Sequence, residues 1–342
     1  MNYTDINNRI MNDTKIAFIL PYFGKFDKLF PLWLISCKWN SNIDWLIFTD
    51  DETMYDYPTN VKVHYVSFAD LHKKIQSLYD FPISLDSPYR LCNFKPAYGE
   101  IFEEYLKGYD AWGFCDNDMI YGQIIANIPS NLFENYKVGK FGHLSFIPNT
   151  YKSNRLYRFS DAYRIAFETP RPLFFDEGCF MQILSKFGYE EYSLHIADLL
   201  PRVKQHMVLN EKGREWMNEA HCFVWNKGKL WRYYVTKENS IGKEEYVYIH
   251  FLKRPMKVEE NIDLDKPMII IPNRIFNMEL SEITPSFLRK VSRKGIFWAY
   301  WKKSFQPKNF IERVKNRLYQ KKQDIAMTRK MEDLINEAYR MD

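Results

Sequence analysis

The chain has 342 residues, of which 46% are hydrophobic and 17% aromatic, and its formal net charge is +5. This composition predicts a globular protein with one large core, or a core and a smaller subdomain, and it excludes a disordered, fibrous or repetitive chain. The five cysteines form no CxxC pair, which argues against a disulfide framework and a zinc cluster and favours a reducing compartment. Residues 1–13 lack the order of a signal peptide, and no apolar run approaches the roughly 20 residues of a membrane span, so we expect a cytoplasmic protein.

The first third of the chain alternates predicted strands and helices. Short apolar runs closed by Pro, Gly or Asp are typical of buried strands, and apolar residues three to four positions apart are typical of helices. Strands are predicted at 15–21, 43–49, 61–66 and 109–115, and helices at 26–39, 69–79 and 96–106. This alternation predicts an α/β fold with a mostly parallel sheet and helices on both of its faces.

The pattern is less regular in the rest of the chain. The hydrophobic spacing predicts helices at 151–168 and 176–187, strands near 222–225, 230–234 and 246–251, and a basic helical segment from residue 281 onward. We therefore divide the chain into a main domain, 1–280, and a carboxyl-terminal helical segment, 281–342.

Polar or small residues follow three of the predicted strands, at residues 22–24, 50–51 and 116–118. In open α/β sheets, ligands bind at the carboxyl ends of the parallel strands. We therefore expect these three segments to converge on one site.

Asp116 and Asp118 follow the buried strand at 109–115. On an extended segment, alternate side chains point the same way, so the two carboxylates would meet while Asn117 points to the opposite side. Such hard oxygen ligands suit Mg²⁺ or Mn²⁺, and both ions leave positions open for phosphate oxygens. The alternative is a solvated acidic turn.

Four blocks of this sequence resemble bacterial GT-A-type glycosyltransferases encoded in capsule and lipopolysaccharide clusters. They are KIAFILPYFGKF (15–26), SCKWNSNIDWLIFTDD (36–51), YRLCNFKPAYGEIFEEYLKGYDAWGFCDNDMIYG (89–122) and FDEG (175–178). The resemblance extends over about residues 15–255. In many such enzymes the block around the DxD motif reads GDxDLxxG; here Cys115 and Met119 replace its leading Gly and its Leu.

The resemblance implies a GT-A-like, Rossmann-type fold with a nucleotide-sugar half at about 15–125 and an acceptor half at about 126–280. It also implies Mn²⁺ or Mg²⁺ at Asp116 and Asp118, with Asn117 among the donor-binding residues, and a nucleotide-diphosphate sugar as donor, a UDP-sugar being the first expectation. The acceptor would be a saccharide or lipid-linked saccharide, and the pathway would be capsule, O-antigen or other cell-surface polysaccharide biosynthesis.

Two lysines and a histidine are candidates for the same site. Transfer from a nucleotide-diphosphate sugar builds negative charge on the leaving phosphate, which the ammonium groups of Lys95 and Lys253 could stabilise. His250 follows the alternating residues 245–249 and precedes Lys253 by three residues. This spacing resembles an HxxK-like element that completes the metal and pyrophosphate site in many GT-A enzymes. The alternatives are solvated surface lysines and a structural histidine.

The residues after the first two strands are candidates for the nucleotide pocket. Tyr22, Phe23 and Gly24 would line or stack on the base, and Asp50 or Asp51 would lie near the ribose. The alternative for the acidic pair is a turn cap.

Asp176 and Glu177 stand at the head of a predicted helix. One of them could be the base that deprotonates the acceptor hydroxyl, as an inverting enzyme requires. The alternative is an acidic N-cap.

Several reaction classes lose their usual support, because the sequence contains no GxGxxG, GxxxxGK[ST], HExxH or GxSxG motif. Two rivals to glycosyl transfer remain. A metal-dependent nucleotide-sugar hydrolase or nucleotidyltransferase also uses paired carboxylates, and a non-catalytic saccharide-binding assembly protein would account for the aromatic content.

Residues 285–324 carry twelve Lys or Arg against two acidic residues, a net charge of +10, so the rest of the chain is −5. Together with its aromatic residues, this charge predicts peripheral contact with an anionic membrane surface on the inner face of the cell membrane. A helical appendage packed on the body or on a second subunit is the alternative. No other feature supports nucleic-acid binding.

Overall fold

Three β-sheets make up the framework of the residues that the structure, a computed structural model, describes: 14–128, 136–139, 142–199, 208–209, 220–252, 256–271, 274–292 and 310–341. The strands in chain order are β1 (Ile16–Pro21), β2 (Ile43–Thr49), β3 (Val61–Tyr65), β4 (Ala111–Cys115), β5 (Met119–Tyr121), β6 (Tyr136–Val138), β7 (Leu144–Pro148), β8 (Glu190–Tyr192), β9 (Ile196–Leu199), β10 (Val208–Leu209), β11 (His221–Asn226), β12 (Lys229–Val235), β13 (Ile241–Tyr246), β14 (Tyr248–His250), β15 (Lys257–Val258), β16 (Met268–Ile271) and β17 (Arg274–Asn277).

Helices pack around these sheets. The α-helices are α1 (Phe30–Lys38), α2 (Phe68–Gln76), α3 (Tyr98–Ile101), α4 (Ala162–Glu168), α5 (Cys179–Lys186), α6 (Pro285–Ser292) and α7 (Phe310–Met341). Short 3₁₀ helices lie at Pro88–Ala97, Glu103–Tyr105, Ile125–Asn127, Ser153–Phe159 and Leu280–Glu282. No α-helix in the described ranges is both long and apolar enough to cross a membrane.

The central sheet has the strand order β3-β2-β1-β4-β7-β6-β8. Its first four strands are parallel, as the alternation of strands and helices predicts, and β7 runs antiparallel to β4. Strand β1 is buried on both faces: Ala17 and Ile19 pack with α2, α4 and α5, whereas Phe18 and Leu20 pack with α1 on the other side. The α/β class is therefore confirmed. One half of this sheet, β3-β2-β1-β4, is parallel, and the other half is mixed, because β7 is antiparallel to β4 and β6 whereas β6 and β8 are parallel.

Two smaller sheets complete the main body. One has the strand order β10-β9-β14-β5, so that β5, just after β4, pairs with β14 from late in the chain. The other has the order β13-β12-β11-β16-β17-β15 and is mainly antiparallel. These additions explain why only the amino-terminal strands follow the parallel pattern.

Two predicted helices differ from the structure. The segment predicted as a helix at 96–106 is a 3₁₀ turn ending at Ala97, then α3, then a second 3₁₀ turn. Pro96 supplies no N–H, and Gly99 lies so close to the Trp112 ring that a Cβ would stand 2.5 Å from it. The predicted helix at 151–168 breaks at Ser160, where the backbone is extended, into a 3₁₀ helix and α4.

Both described parts of the carboxyl-terminal segment pack on the main body. Leu288 of α6 is fully buried against β11 and β12. Met331 and Ile335 of α7 are fully buried beside α4 and α5. Residues 293–309, which form part of the segment 285–324 predicted to contact a membrane, lie outside the described residues.

Candidate active site and metal centre

The carboxyl ends of β1, β2 and β4 lie at one edge of the central sheet, because the three strands are parallel and in register. From β1, the chain continues outward to β2 and β3 on one side, while β4 lies on the other. Strand order therefore reverses between β1 and β4, which is where open α/β sheets bind ligands. The segments 22–24, 50–51 and 116–118 all begin at this edge.

His250 reaches the DxD segment through strand pairing. Strand β5 begins directly after Asp118 and pairs antiparallel with β14, with His250 opposite Met119. The backbone N–H of Phe251 donates to the Asp118 carbonyl oxygen at 2.8 Å. A residue more than 130 positions later in the chain is thus held beside the two aspartates.

Asp116, Asp118 and His250 each offer one donor atom, and the three atoms lie within 4.8 Å of one another. Asp118 Oδ1 is 3.3 Å from His250 Nε2, and both side chains are largely buried. Mn²⁺ accepts two carboxylates and an imidazole as ligands. Mg²⁺ accepts them when further oxygen ligands complete its coordination. The chemistry of this donor set fits the ion that the sequence predicts.

Lys95 lies against the same carboxylates. Its Nζ is 2.8 Å from Asp116 Oδ1 and donates to the Gly142 carbonyl oxygen at 2.6 Å. Burial by itself lowers the pKa of the Lys95 ammonium, but the charges of Asp116 and Asp176 outweigh it and hold that pKa above its ordinary value. Lys95 therefore stays cationic. It sits at the end of a 3₁₀ helix, not at the start of an α-helix as its sequence context suggested.

Asp198 and His143 complete the surroundings of His250, and no motif in the sequence indicated Asp198. His250 Nδ1 is 2.9 Å from Asp198 Oδ1, and the His143 ring stacks on the His250 ring with centroids 4.2 Å apart. Burial lowers the pKa of His250, but its contacts with Asp118 and Asp198 outweigh this and raise it to about 10. Asp198 could have been identified only from the register of its strand with the strand of His250, and the sequence does not reveal the register between distant strands.

Trp33 is a second residue of this site that no motif in the sequence indicated. Its Nε1–H donates to the Asp116 carbonyl oxygen at 3.1 Å, and its ring is fully buried. From the sequence, Trp33 was only one position of the helix predicted at 26–39. Its indole nitrogen also fixes the backbone of the first aspartate.

Asp176 and Glu177 are not N-caps. Helix α5 begins at Cys179, its N-cap residue is Gly178, and no side chain caps it. Glu177 is exposed, and its Oε1 accepts from the Gly142 N–H at 2.8 Å. Asp176 is buried against Gly142, where a Cβ would stand 2.2 Å from its Oδ2.

Gly142 thus connects the two ends of the site. Its carbonyl oxygen accepts from Lys95, and its N–H donates to Glu177. The Glu177 carboxylate and the Lys95 ammonium beside Asp116 are therefore both held by Gly142. The base role of Asp176 or Glu177 stays a prediction.

The two acidic residues after β2 have different surroundings. Asp51 is 1% exposed, and its carboxylate accepts from the Phe26 N–H, the Thr53 N–H and hydroxyl, and the Lys25 ammonium. Asp50 is exposed, and its Oδ1 accepts from the Gly24 N–H at 2.7 Å. Asp51 therefore organises the loop after β1, while Asp50 retains an exposed carboxylate.

Tyr22 and Phe23 point to different neighbours. Tyr22 stacks on Phe26 with centroids 4.5 Å apart, and its hydroxyl interacts with the Asn117 side chain, so it lies beside the DxD segment. Phe23 packs edge-to-face on Phe68 in the core. Gly24 has a φ of +91°, a backbone conformation that suits glycine, and nothing lies within 4 Å of a Cβ built on it. Lys253 lies outside the described residues.

Residues 18–279 match a family described as a family of unknown function (DUF6625). A comparison with proteins of curated function finds no match. The matched span contains the DxD segment, His250 and every other candidate residue of this site.

Proposed function

The chain belongs to the family of unknown function DUF6625, and we propose that it is a metal-dependent glycosyltransferase that moves a sugar from a nucleotide-diphosphate sugar to a saccharide acceptor. The observation that carries the proposal is the cluster of Asp116, Asp118 and His250 at the carboxyl edge of the parallel strands. A GT-A-like fold is part of the same proposal, and it is supported by the reversal of strand order beside the DxD segment.

The residues around the cluster support a phosphate-bearing donor more than a simple acidic surface. Lys95 places a buried positive charge 2.8 Å from Asp116. Carboxylates, a metal-ligating imidazole and a fixed ammonium at one point form the combination that binds and neutralises a diphosphate. Asp116 and Asp118 with His250 would hold Mn²⁺ or Mg²⁺, which would supply Lewis-acid stabilisation of the leaving phosphate.

The protein's own groups have separate roles in this proposal. Lys95, held by the Gly142 carbonyl oxygen, keeps its charge directed at the phosphate side of the site. Tyr22 and Asp50 would border the nucleotide, and the Tyr22 hydroxyl interacts with the side chain of Asn117. Glu177 is the better placed candidate base, because its carboxylate is exposed whereas that of Asp176 is buried.

The experiment is a thermal-shift screen of the full chain against nucleotide-diphosphate sugars, with and without Mn²⁺, followed by measurement of nucleoside diphosphate release. A ligand that binds only the folded state raises the melting temperature, by the equivalent of about 2.7 kcal/mol at 100 times its Kd. We expect one donor class to shift the melting temperature only when Mn²⁺ is present. We expect release of the diphosphate to require an acceptor.

Matched variants make the test specific. Asp116→Asn or Asp118→Asn should lower kcat/KM by about 100-fold or more while the protein remains folded, because each removes a carboxylate of the cluster. Asp265→Asn, at an exposed aspartate remote from the site, is the control. Full activity in excess chelator, or parent rates in both DxD variants, would refute the metal-dependent mechanism. Equal donor consumption without acceptor would indicate a hydrolase, and intact cellular function in both variants would indicate a saccharide-binding protein.

A further inference from the structure

His250 belongs to two groups of potential metal ligands. One group contains Asp116 and Asp118, and the other contains His143 and Asp198; in each group the donor atoms lie within 4.8 Å of one another. The two groups use opposite sides of one ring, because Nε2 faces Asp118 at 3.3 Å and Nδ1 faces Asp198 at 2.9 Å. The role of Asp198 depends on which ring nitrogen would bind an ion.

Strand register places Asp198 beside His250. Strand β9 pairs parallel with β14, with Asp198 opposite His250, and β14 pairs on its other side with β5 directly after the DxD segment. Residues in register on neighbouring strands project from the same face of the sheet. The pairing of Asp198 with His250 is therefore built into the sheet.

The shorter contact has the chemistry of a supporting hydrogen bond. A carboxylate accepts hydrogen bonds, so Nδ1–H of His250 donates to Asp198 Oδ1. An ion at the DxD aspartates would take the place of the Nε2 proton, and with Nδ1–H held by Asp198 the lone pair would be on Nε2. Nε2 faces the DxD aspartates. A ligating histidine commonly donates its second N–H to a carboxylate, which sets its tautomer and its ring orientation.

We propose that Asp198 is a positioning residue that holds His250 with Nε2 directed at the Asp116–Asp118 site, so that the two groups form one metal centre with a supporting carboxylate. This inference rests on the proposed metal site. His143 stacks on the face of the His250 ring and restricts its rotation, and its own Nδ1 lies 3.2 Å from the Tyr248 hydroxyl.

The test measures binding of Mn²⁺ alone to the full chain, from the electron paramagnetic resonance signal of free Mn²⁺, so that no sugar, acceptor or turnover is involved. We expect Asp198→Ala to weaken Mn²⁺ binding about 10- to 100-fold. Asp198→Asn should cause a smaller loss, of about threefold to tenfold, because its amide oxygen can still accept from Nδ1–H but its NH₂ can also face the ring. Glu190→Ala, at an exposed carboxylate on β8, should bind Mn²⁺ like the parent.

A second readout distinguishes positioning from a general structural defect. If Asp198 acts through the metal, excess Mn²⁺ should restore most of the activity of Asp198→Ala, whereas a damaged fold would stay inactive at any Mn²⁺ concentration. Should Asp198→Ala fail to fold, Asp198→Asn carries the same comparison.

The outcomes separate this inference from the proposed function. Parent-like Mn²⁺ binding in both Asp198 variants, together with lost binding in Asp118→Asn, would overturn the positioning role and leave the metal site in place. Parent-like Mn²⁺ binding in Asp116→Asn and Asp118→Asn as well would overturn both the metal site and the positioning role. Weakened Mn²⁺ binding in the Asp198 variants and in the DxD variants supports the metal site and the positioning role.

Discussion

Asp50 and Asp51 are adjacent in sequence, yet we expect their amide variants to fail in different ways. The Asp51 carboxylate is 1% exposed and serves four donors, whereas Asp50 is exposed and accepts from one backbone N–H. From the sequence, both were candidates for the nucleotide pocket, with a turn cap as the alternative. The structure instead predicts that Asp51→Ala mainly loses stability and Asp50→Asn mainly loses donor binding.

The magnitude follows from the groups that Asp51→Ala would leave without an acceptor. The Phe26 and Thr53 N–H groups donate to Asp51 at 3.0 Å each. A buried donor left unsatisfied costs about 1–3 kcal/mol, which applies in full to the buried Phe26 N–H and is an upper limit for the partly buried Thr53 N–H. The contact with Lys25 adds little, because that lysine side chain is 75% exposed. We therefore expect the free energy of unfolding to fall by about 1–6 kcal/mol.

The effect should depend on pH with a definite sign. Burial raises the pKa of the Asp51 carboxyl, but its hydrogen bonds to Lys25, Thr53 and Phe26 outweigh this and hold the pKa well below its usual range. A carboxyl with a depressed folded-state pKa stabilises the protein above its unfolded pKa of about 3.9, and this contribution is lost as the pH falls below that value. The stability difference between the parent and Asp51→Asn should therefore shrink as the pH falls from about 5 to about 3.

Urea unfolding, followed by tryptophan fluorescence at several pH values, measures this difference, and thermal shift with donor and Mn²⁺ measures binding. Asp50→Asn is the matched control for stability and should unfold within about 0.5 kcal/mol of the parent. Parent-like stability of Asp51→Ala, or a stability difference for Asp51→Asn that does not change with pH, would refute the structural role of this carboxylate.

Two further predictions concern the cation at the site and the carboxyl-terminal helix. Lys95→Met should lower kcat/KM by about 100-fold, because it removes the charge beside Asp116. Lys74→Met, at a surface ion pair of similar length, should leave kcat/KM unchanged. If the two variants had the same kcat/KM in a steady-state assay, this role of Lys95 would be contradicted. Ile335→Ala should lower the free energy of unfolding, measured in urea, by about 2–5 kcal/mol, because the Ile335 side chain is fully buried. Ile325 on the same helix is 45% exposed, so Ile325→Ala should lower it far less. Similar losses in the two variants would show that α7 does not pack as described.

Several strands and helices could be predicted from short stretches of sequence. The apolar runs that predicted 15–21 and 43–49 correspond to β1 and β2, and the helical stripe near residue 70 corresponds to α2. Hydrophobic periodicity reports which residues face a core, and this property depends only on neighbours along the chain. The DxD aspartates were identified for the same reason, because a short polar segment after a buried strand is visible in one stretch of sequence.

Helix type and side-chain role depended on distant contacts. Whether residues 96–106 form one α-helix depended on how closely Gly99 had to approach Trp112. Asp176 and Glu177 do not cap a helix, because α5 begins at Cys179 and the Glu177 carboxylate accepts from the Gly142 N–H, 35 residues earlier in the chain. Neither distance can be obtained from spacing along the chain.

The sequence by itself determined the α/β class, the parallel amino-terminal strands and the paired carboxylates of Asp116 and Asp118. Only the tertiary structure decided that β14 lies between β5 and β9, which brings His250 to Asp118 on one side and to Asp198 on the other. The physical reason is that strand pairing is a contact between segments far apart in sequence. Many registers satisfy the same hydrophobic pattern, and the packing of the whole chain selects the one that builds this site.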